Sequence, residues 1–325
     1  MRDWLRLIRA SGLATILADA LAAVVVCAAW AQAQPDVLWA AARVWHGAVP
    51  AAWIVAAGLL CYITGMVWND IADVERDRVI EPRRPLPSGR VPVAAAVVIG
   101  IIAPVAALAC AAQVRHGFGA AGTVLALALL YNLGAKQVPW LGSLVMGLTR
   151  SAHALMALLI LGPDLFAMSV AGHGGGLIYP LLVGIYTVGL TLVSELHHRP
   201  GRRIEAVTGA GLMLLAVLLA TALVVAIGWP RALLTAGGWR PVLAVAGLAA
   251  LGAALWLFAR QVMPVVWAAL RDSERAGFGA AIAAGLGGLL LLAAVAAGAA
   301  HPLAGLPVLV LFPIFRWAAR RIRMD

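Results

Sequence analysis

The chain has 325 residues, of which 63% are hydrophobic and only 12% are charged, against about 25% charged residues in ordinary soluble domains. This composition excludes a water-soluble globule, and apolar stretches recur along the whole sequence, so we expect one integral membrane domain over residues 1–325. The net charge of +10 lies mostly in short connections between apolar stretches, which favours an effect of membrane topology over binding of nucleic acid.

Nine apolar stretches of about 20 residues, the length needed to cross a hydrocarbon core, predict an all-α, polytopic membrane bundle. The predicted spans are residues 12–33, 48–71, 92–112, 117–134, 141–162, 177–196, 206–228, 241–262 and 277–299. A shorter apolar piece at 303–318 makes ten crossings the alternative. The first stretch, which ends near Ala31-Gln32-Ala33, also resembles a cleavable signal, but its length and the presence of Asp19 favour a retained span.

Basic residues are unevenly divided between the two sides of the predicted bundle, and Lys and Arg are retained preferentially on the cytoplasmic side. With the N-terminus inside, fifteen basic residues face the cytoplasm and four face the opposite side. The fifteen lie in residues 2–9 (three), 76–90 (five), 136 (one), 199–203 (three) and 260–275 (three); the four are Arg43, Arg115, Arg231 and Arg240. We therefore expect a multi-pass protein of the cell (inner or plasma) membrane with a cytoplasmic N-terminus.

The second span ends in an acidic run, Asn69-Asp70-Ile71-Ala72-Asp73-Val74-Glu75-Arg76-Asp77. Each residue of a helix turns by about 100°, so Asn69, Asp73 and Asp77, four residues apart, share one face. Stacked carboxylates repel each other unless a cation lies between them, and Mg²⁺ is usually held by one or two carboxylates together with substrate phosphates. The spacing therefore predicts a magnesium–diphosphate site formed by Asn69, Asp73 and Asp77.

A proline-rich basic loop follows directly, with the sequence Glu81-Pro82-Arg83-Arg84-Pro85-Leu86-Pro87-Ser88-Gly89-Arg90. Guanidinium groups suit bidentate contacts to phosphate, so Arg83 and Arg84 are candidate diphosphate ligands. The alternative is a solvated helix end in which the acidic residues only pair with neighbouring arginines. Against it, Asn69 and Asp70 emerge directly from apolar sequence at membrane depth, where polar side chains are costly and commonly functional.

The N-D-x-x-D-x-x-x-D run and the Pro-Arg-Arg-Pro-Leu-Pro-Ser-Gly loop closely resemble the first aspartate-rich motif of the UbiA superfamily of intramembrane prenyltransferases. The spacing of the spans and the Tyr131–Lys136 stretch that closes the fourth helix are similar to that family as well. The resemblance implies a central cavity open laterally to lipid, a prenyl diphosphate bound through Mg²⁺, and prenyl transfer to an acceptor. Lys136 matches a family lysine that meets the diphosphate; the alternative is a lysine that only reaches the membrane interface.

The chain departs from the family pattern after the sixth span, where typical members carry a second acidic motif, D-x-x-x-D, for a second magnesium. Between residues 191 and 203 the only acidic residue is Glu195, and Arg199 stands four positions later. A second metal held in the usual way is therefore in doubt. Arg199 and the basic residues beside it offer compensating positive charge, unless they only follow the positive-inside rule. This departure is similar to the divergent EboC-like branch of the superfamily.

Arg150 lies about ten residues into the fifth span and therefore near mid-membrane. A charge there costs about 2.5–3.5 kcal/mol on insertion scales and should face a cavity or a partner. One interpretation is an ion pair with Asp19 of the first span. The other makes Arg150 a contact to the diphosphate or the acceptor and Asp19 a wall residue of the cavity. Tyr62, Trp68 and Tyr131 are candidates to line the prenyl pocket, where aromatic faces stabilise an allylic cation.

Together these features predict a Mg²⁺-dependent prenyltransferase that moves a prenyl group from a prenyl diphosphate to an unidentified small-molecule or lipid acceptor. Asp73 and Asp77 act through the metal, and Asp70 or Glu195 is the candidate proton acceptor. A second class stays open, since a non-catalytic transporter or carrier of a prenyl-linked or phosphorylated metabolite would use the same cavity, and the degenerate second motif allows this. Phosphatidyl transfer is disfavoured because its D-G-x-x-A-R signature is absent.

Overall fold

A computed structural model describes residues 2–33, 48–138, 140–172, 175–195, 203–271 and 278–321. Within these ranges every regular element is a helix, and no strand occurs. Seven of the described helices are long and apolar enough to cross a membrane, and two shorter apolar helices, Gly117–Leu133 and Ile178–Ser194, correspond to the remaining predicted spans. The predicted polytopic helical membrane bundle is therefore confirmed.

The first half of the chain forms the helices that carry the candidate site. They are α1 (Arg2–Leu7), α2 (Leu13–Ala33), α3 (Ala48–Ala72), α4 (Val74–Ile80), α5 (Val93–Ala111) and α6 (Gly117–Leu133). A single 3₁₀ turn, Ala10–Gly12, joins α1 to α2. The first four predicted spans coincide with α2, α3, α5 and α6 to within a few residues, whereas the hydropathy pattern does not predict the short helices α1 and α4.

The second half forms most of the apolar scaffold. Its helices are α7 (Leu141–Met156), α8 (Pro163–Val170), α9 (Ile178–Glu195), α10 (Arg203–Ile227), α11 (Trp229–Leu234), α12 (Arg240–Leu257), α13 (Met263–Arg271), α14 (Phe278–Ala300) and α15 (Gly305–Arg321). A 3₁₀ turn, Ala157–Ile160, extends α7, and a π-helical turn, Phe258–Val262, links α12 to α13. The shorter apolar piece at 303–318 forms α15, which is not among the candidate spans of the described chain, so the tenth crossing stays a prediction.

Helix α14 lies at the centre of the larger hydrophobic core and packs against α2, α9, α10, α12 and α15. Its residues from Leu289 to Ala297 are almost completely buried. Small residues allow helices to approach closely in a membrane, where packing and interhelical hydrogen bonds hold them together. The Tyr186 hydroxyl of α9 accordingly donates to the carbonyl oxygen of Gly285 at 3.0 Å, and a Cβ at Gly288 would collide with that hydroxyl.

Two glycines lie at a close backbone contact between helices α9 and α10. A Cβ added to Gly189 would collide with the carbonyl oxygen of Gly209, and a Cβ added to Gly209 would collide with that of Gly189. Gly211, on the same helix as Gly209, has no neighbouring atom within 4 Å of an added Cβ. Of these three glycines, only Gly189 and Gly209 lie at the contact between the two helices.

Helix α3 is positioned by polar contacts to its two neighbours. The Trp68 indole donates to the carbonyl oxygen of Gly100 in α5 at 2.9 Å. The Asn132 amide of α6 donates to the carbonyl oxygen of Gly65 at 3.1 Å. These two bonds hold the C-terminal part of α3 between α5 and α6, and the acidic run continues from that end.

Candidate active site

The acidic run lies where α3 ends and α4 begins. Asp73 occupies the break between the two helices, with φ −94° and ψ −2°, so the run is not the single continuous helix that we predict from its spacing. The backbone hydrogen bonds nevertheless keep helical spacing across the break, from Asp73 N–H to the Asn69 carbonyl (3.1 Å) and from Asp77 N–H to the Asp73 carbonyl (2.8 Å). As whole residues, Asp73 and Asp77 are only 6% and 2% exposed.

Two cationic side chains bridge the oxygen atoms of Asn69, Asp73 and Asp77. Lys136 Nζ lies 2.7 Å from Asp73 Oδ1 and 3.4 Å from Asn69 Oδ1. Arg76 Nη2 lies 3.1 Å from Asp73 Oδ2 and 3.3 Å from Asp77 Oδ1. Each cation thus contacts oxygen atoms of two residues, which shows that neighbouring members of this set are close enough to share one cation.

The basic loop that follows α4 packs on the bundle through apolar side chains. Leu86 and Val91 are 3% and 1% exposed and join Leu7 and Val67 in a small core. This anchoring holds the loop next to the acidic turn, although most of its polar side chains face the solvent or the cavity. The loop is therefore packed against the bundle as part of the site.

The two loop arginines take different positions. Arg84 Nη1 lies 2.6 Å from Asp77 Oδ2, while Arg83 is exposed and its carbonyl oxygen accepts a hydrogen bond from Arg90. With Arg84 in place, all four carboxylate oxygens of Asp73 and Asp77 have a cationic partner. The acidic turn is therefore charge-compensated by residues of the chain itself.

Asp70 is held by a different partner. Its Oδ1 lies 3.3 Å from Arg9 Nη2 and 3.4 Å from the Asn69 amide nitrogen. Burial lowers the pKa of the Arg9 guanidinium, but the Asp70 carboxylate together with Tyr62 and Tyr131 holds the pKa above its ordinary value. Arg9 is therefore a permanent cation beside the acidic turn, and the role of Asp70 as a proton acceptor stays a prediction.

A cavity of about 1410 Å³ opens beside the acidic turn. It brings together ten of the predicted site residues: Tyr62, Asn69, Asp70, Asp73, Asp77, Arg83, Arg84, Tyr131, Lys136 and Arg150. Its apolar wall is formed by Ile16, Cys61, Met66, Val124, Ala128, Met146 and Ile282. Cys61 precedes Asn69 by eight residues and so lies about 12 Å deeper along α3. The cavity thus joins a charged end to an apolar interior.

The side-chain oxygens of the acidic turn form a donor set that suits a hard divalent cation. Among the residues that the structure describes, no group of three or more His, Cys, Asp and Glu side chains is placed to hold a metal ion. A metal here would therefore have the carboxylates of Asp73 and Asp77 and the amide oxygen of Asn69, with water and phosphate oxygens as its other ligands. Mg²⁺ commonly has such an incomplete protein ligand set, so the residues fit it.

Arg150 belongs to a buried polar network that crosses from α7 to α2 and α9. Its Nε lies 2.6 Å from Asp19 Oδ2, and its Nη2 donates to Thr15 Oγ1 at 2.6 Å. The Tyr179 hydroxyl donates to Asp19 Oδ1, also at 2.6 Å. Arg150 lines the cavity, but Asp19 is 1% exposed and lies behind it. The structure thus shows the ion pair, and the predicted position of Asp19 on the cavity wall is wrong.

Some residues at the cavity were missed or misplaced from the sequence. Arg6 and Arg9 line it, whereas in the sequence analysis their charge is explained by topology alone. Arg76 also lines it, although the sequence suggests a contact for it only in the alternative of a solvated helix end. The i,i+3 spacing of Arg76 from Asp73 was the available signal for that contact. Trp68, a predicted pocket residue, does not line this cavity and instead contacts α5.

The end of α9 reaches the cavity through Thr191 and Ser194. Arg199 lies outside the described residues, and so does the side chain of Glu195. Of the degenerate second motif at residues 191–203, residues 196–202 therefore lie outside the described part of the chain. The roles of Glu195 and Arg199 stay predictions.

The fold and the cavity define an integral membrane helical bundle whose site combines carboxylates, guanidiniums and an apolar interior. The model of the UbiA prenyltransferase family matches residues 24–272. The chain therefore belongs to the UbiA prenyltransferase family, and its activity at the level of the family is intramembrane prenyl transfer. The transporter alternative receives no support from this match, and the EboC-like branch stays a prediction.

Two solved structures share the fold. The apo structure of a UbiA homolog from Aeropyrum pernix K1 is 19% identical in sequence, with 86% of this chain and 96% of that chain covered and a TM-score of 0.58. A structure of a digeranylgeranylglyceryl phosphate synthase in membranes is 18% identical, with 94% and 98% covered and a TM-score of 0.50. No curated protein matches this chain in sequence. At these identities the likeness shows the fold alone.

Proposed function

We propose that this protein transfers the prenyl group of a prenyl diphosphate, bound together with Mg²⁺, to a small-molecule or lipid acceptor held in the same cavity. The observation that carries the proposal is the cavity of about 1410 Å³ that joins the Asn69–Asp77 turn to an apolar interior. A concave site with a few convergent polar groups and mainly apolar walls suits a ligand with a polyanionic head and a hydrocarbon tail.

Asn69, Asp73 and Asp77 would hold Mg²⁺ through their side-chain oxygens. Bound there, Mg²⁺ supplies Lewis-acid neutralisation of diphosphate charge. Lys136 and Arg84, which contact these carboxylates in the structure, can turn to phosphate oxygens by side-chain rotation. The same cations thus compensate the carboxylates in one state and the diphosphate in the other.

Lys136, Arg83 and Arg84 lower the barrier to cleavage of the bond between the allylic carbon and the diphosphate oxygen. The electron pair of that bond remains on the diphosphate, and cations placed where this charge develops stabilise the transition state more than the bound substrate. The acceptor nucleophile then bonds to the allylic carbon, and its proton passes to a carboxylate. Asp70 and Glu195 are our candidates for that carboxylate.

Tyr62 and Tyr131 line the cavity. Aromatic rings stabilise a neighbouring cation by about 0.5–2 kcal/mol, depending on desolvation. We assign these rings to the developing allylic cation, and the apolar wall of α3 and α6 to the prenyl chain. Replacement of either ring is then expected to slow transfer more than it weakens substrate binding.

We further place the diphosphate site at the cytoplasmic side of the cell (inner or plasma) membrane. The excess of basic residues on the side that carries the loop of residues 81–90 supports this orientation. A prenyl diphosphate made in the cytoplasm would then reach the charged end of the cavity without crossing the bilayer. Accessibility of a cysteine introduced at Gly89, an exposed position of that loop, to a membrane-impermeant reagent tests the orientation.

The activity is tested with purified protein in lipid nanodiscs. The protein is incubated with Mg²⁺, radiolabelled prenyl diphosphates of several chain lengths and a lipid extract, and diphosphate release and labelled product are measured. Asp73→Asn is expected to lower turnover by about 100-fold or more, because one preorganised charge at a reacting group typically has an effect of this size.

Glu75→Gln is the matched control for Asp73→Asn. It also removes one carboxylate from the acidic run, but Glu75 is 76% exposed in its side chain and contacts Arg78, so turnover should be retained. Absence of diphosphate release with every chain length, together with absence of Mg²⁺-dependent diphosphate binding, would contradict the proposal. Normal ligand transport by Asp73→Asn without any transfer in the wild type would instead support a carrier.

A further inference from the structure

The N-terminal segment, residues 2–12, is fixed against the cavity and is part of the folded bundle. Leu7 is completely buried in the small core that α3 and the basic loop also form. The Tyr62 hydroxyl of α3 donates to the carbonyl oxygen of Arg9 at 3.2 Å. A Cβ at Gly12 would collide with the same hydroxyl. The side chains of this segment are therefore held in defined positions at the cavity.

Arg9 and Arg6 both line the cavity from this segment. Arg9 has φ 46° and ψ 56°, a left-handed conformation that is costly for residues other than glycine and is often retained at functional sites. This conformation turns the chain between α1 and the 3₁₀ turn and leaves the guanidinium of Arg9 beside Asp70. The strained backbone thus coincides with a cation at the acidic turn.

The Arg6 guanidinium has donor capacity that no described residue uses. Its Nε is buried and has no hydrogen-bond partner in the described part of the chain. Its Nη1 lies 3.5 Å from Asp3 Oδ1, a long contact. Because a buried donor without a partner is unfavourable, an acceptor that enters the cavity would gain from binding Arg6.

The charges that line the cavity are not balanced. Its described side chains include eight that are cationic and four that are acidic, a surplus of four positive charges. The cationic ones are Arg6, Arg9, Arg76, Arg83, Arg84, Arg90, Lys136 and Arg150, and the acidic ones are Asp70, Asp73, Asp77 and Glu81. Three of these cations contact Asp73 and Asp77, and Arg9 contacts Asp70. Arg150 pairs with Asp19 behind the cavity. The surplus therefore lies mainly in Arg6, Arg83 and Arg90. Such a surplus fits a polyanionic ligand.

We propose that Arg6 and Arg9 form a second anion-binding edge of the cavity that contacts the diphosphate of the prenyl donor, in addition to Lys136 and the loop arginines. This inference rests on the proposed function and adds an element of the chain to it. Arg9 contacts Asp70, which lies in the sequence between the proposed metal ligands Asn69 and Asp73, so its guanidinium lies next to the expected position of the diphosphate. The N-terminal segment is then a substrate-binding element as well as a topological signal.

The test is calorimetric titration of inorganic pyrophosphate, in the presence of Mg²⁺, into the full chain in nanodiscs. Arg9→Gly removes the guanidinium and suits the left-handed backbone, and Arg6→Gln removes the other cation. Each is expected to weaken pyrophosphate binding about tenfold, the effect of losing a charge-assisted hydrogen bond. Arg2→Gln is the matched control, since Arg2 lies in the same segment but donates to the carbonyl oxygen of Arg321 and does not line the cavity.

Two further measurements separate direct binding from a structural role. Binding of geranylgeraniol, an uncharged prenyl alcohol, is expected to be unchanged in both variants, and Arg9→Lys is expected to restore part of the pyrophosphate affinity. The inference is overturned if the double variant Arg6→Gln/Arg9→Gly binds pyrophosphate as tightly as the wild type. It is also overturned if this variant loses affinity for the prenyl alcohol by the same factor as for pyrophosphate. Failure of the wild type to bind pyrophosphate with Mg²⁺ would refute the proposed function as well.

Discussion

Arg76 contacts both aspartates of the acidic turn, and Arg76→Gln is expected to strengthen binding of Mg²⁺ when no diphosphate is present. In the structure its Nη2 lies 3.1 Å from Asp73 Oδ2 and 3.3 Å from Asp77 Oδ1. Mg²⁺ can use these oxygens only if the guanidinium moves away. The arginine therefore competes with the metal, although it adds favourable charge once a diphosphate has bound.

The expected gain in Mg²⁺ affinity follows from the solvent exposure of the two ion pairs that Arg76 makes. The Arg76 side chain is 45% exposed, while those of Asp73 and Asp77 are 8% and 3% exposed. Partly exposed ion pairs contribute about 0.2–1 kcal/mol each after screening by solvent, so the two contacts together oppose metal binding by about 1 kcal/mol. This corresponds to about fivefold tighter binding of Mg²⁺ by Arg76→Gln. With pyrophosphate present the variant is expected to bind the metal no more tightly than the wild type.

The assay is titration of Mn²⁺, followed by electron paramagnetic resonance, into the protein with and without pyrophosphate. Arg78→Gln removes the same charge two residues further along the helix, from a residue that pairs with the exposed Glu75, and serves as the control for net charge. Unchanged or weaker metal binding by Arg76→Gln without pyrophosphate would refute the competition. An equal gain in Arg78→Gln would show that net charge alone, and not the bridging contact, controls affinity.

Two further predictions concern the scaffold. Asp19→Asn leaves Arg150 without its buried counter-charge and is expected to lower the free energy of unfolding by about 3–5 kcal/mol, measured by thermal unfolding in detergent. The same change in an Arg150→Gln background should cost much less. Equal costs in the two backgrounds would contradict the pairing. Gly209→Ala is expected to lower the unfolding temperature, because its Cβ would collide with the Gly189 carbonyl. Gly211→Ala, the control, should be neutral or slightly stabilising. Equal unfolding temperatures of the two variants would contradict the close contact of α9 and α10.

Hydropathy and charge predicted most of the fold because a membrane restricts the possible structures. A span must be about 20 residues long and satisfy its own backbone hydrogen bonds, so its position is visible in the sequence. The helices α8, α11 and α13 have six to nine residues and are too short to appear as separate apolar stretches. Their positions depend on contacts with the rest of the bundle.

The parts of the site differ in how far the sequence predicts them. Asn69, Asp73 and Asp77 could be placed together because helical spacing is local. The pairing of Arg150 with Asp19 could be considered because charges inside spans are rare and need partners. The position of Arg9 beside the acidic turn could not be predicted. It depends on the left-handed conformation of Arg9 itself and on the packing of the short helix α1, which is about 60 residues away from the acidic turn in the sequence.

The position of α14 has a consequence for biogenesis. This helix follows nearly all the others in the chain, yet it fills the centre of the bundle and contacts α2, the first span. Spans enter the membrane in the order of their synthesis, so α2, α9, α10 and α12 must remain without their common neighbour until α14 has been made. The wall that α2 contributes to the cavity through Ile16 can therefore take its final position only late. Competence to bind ligand is expected to appear after insertion of α14, and a ribosome-arrested chain that stops before residue 278 should not bind pyrophosphate.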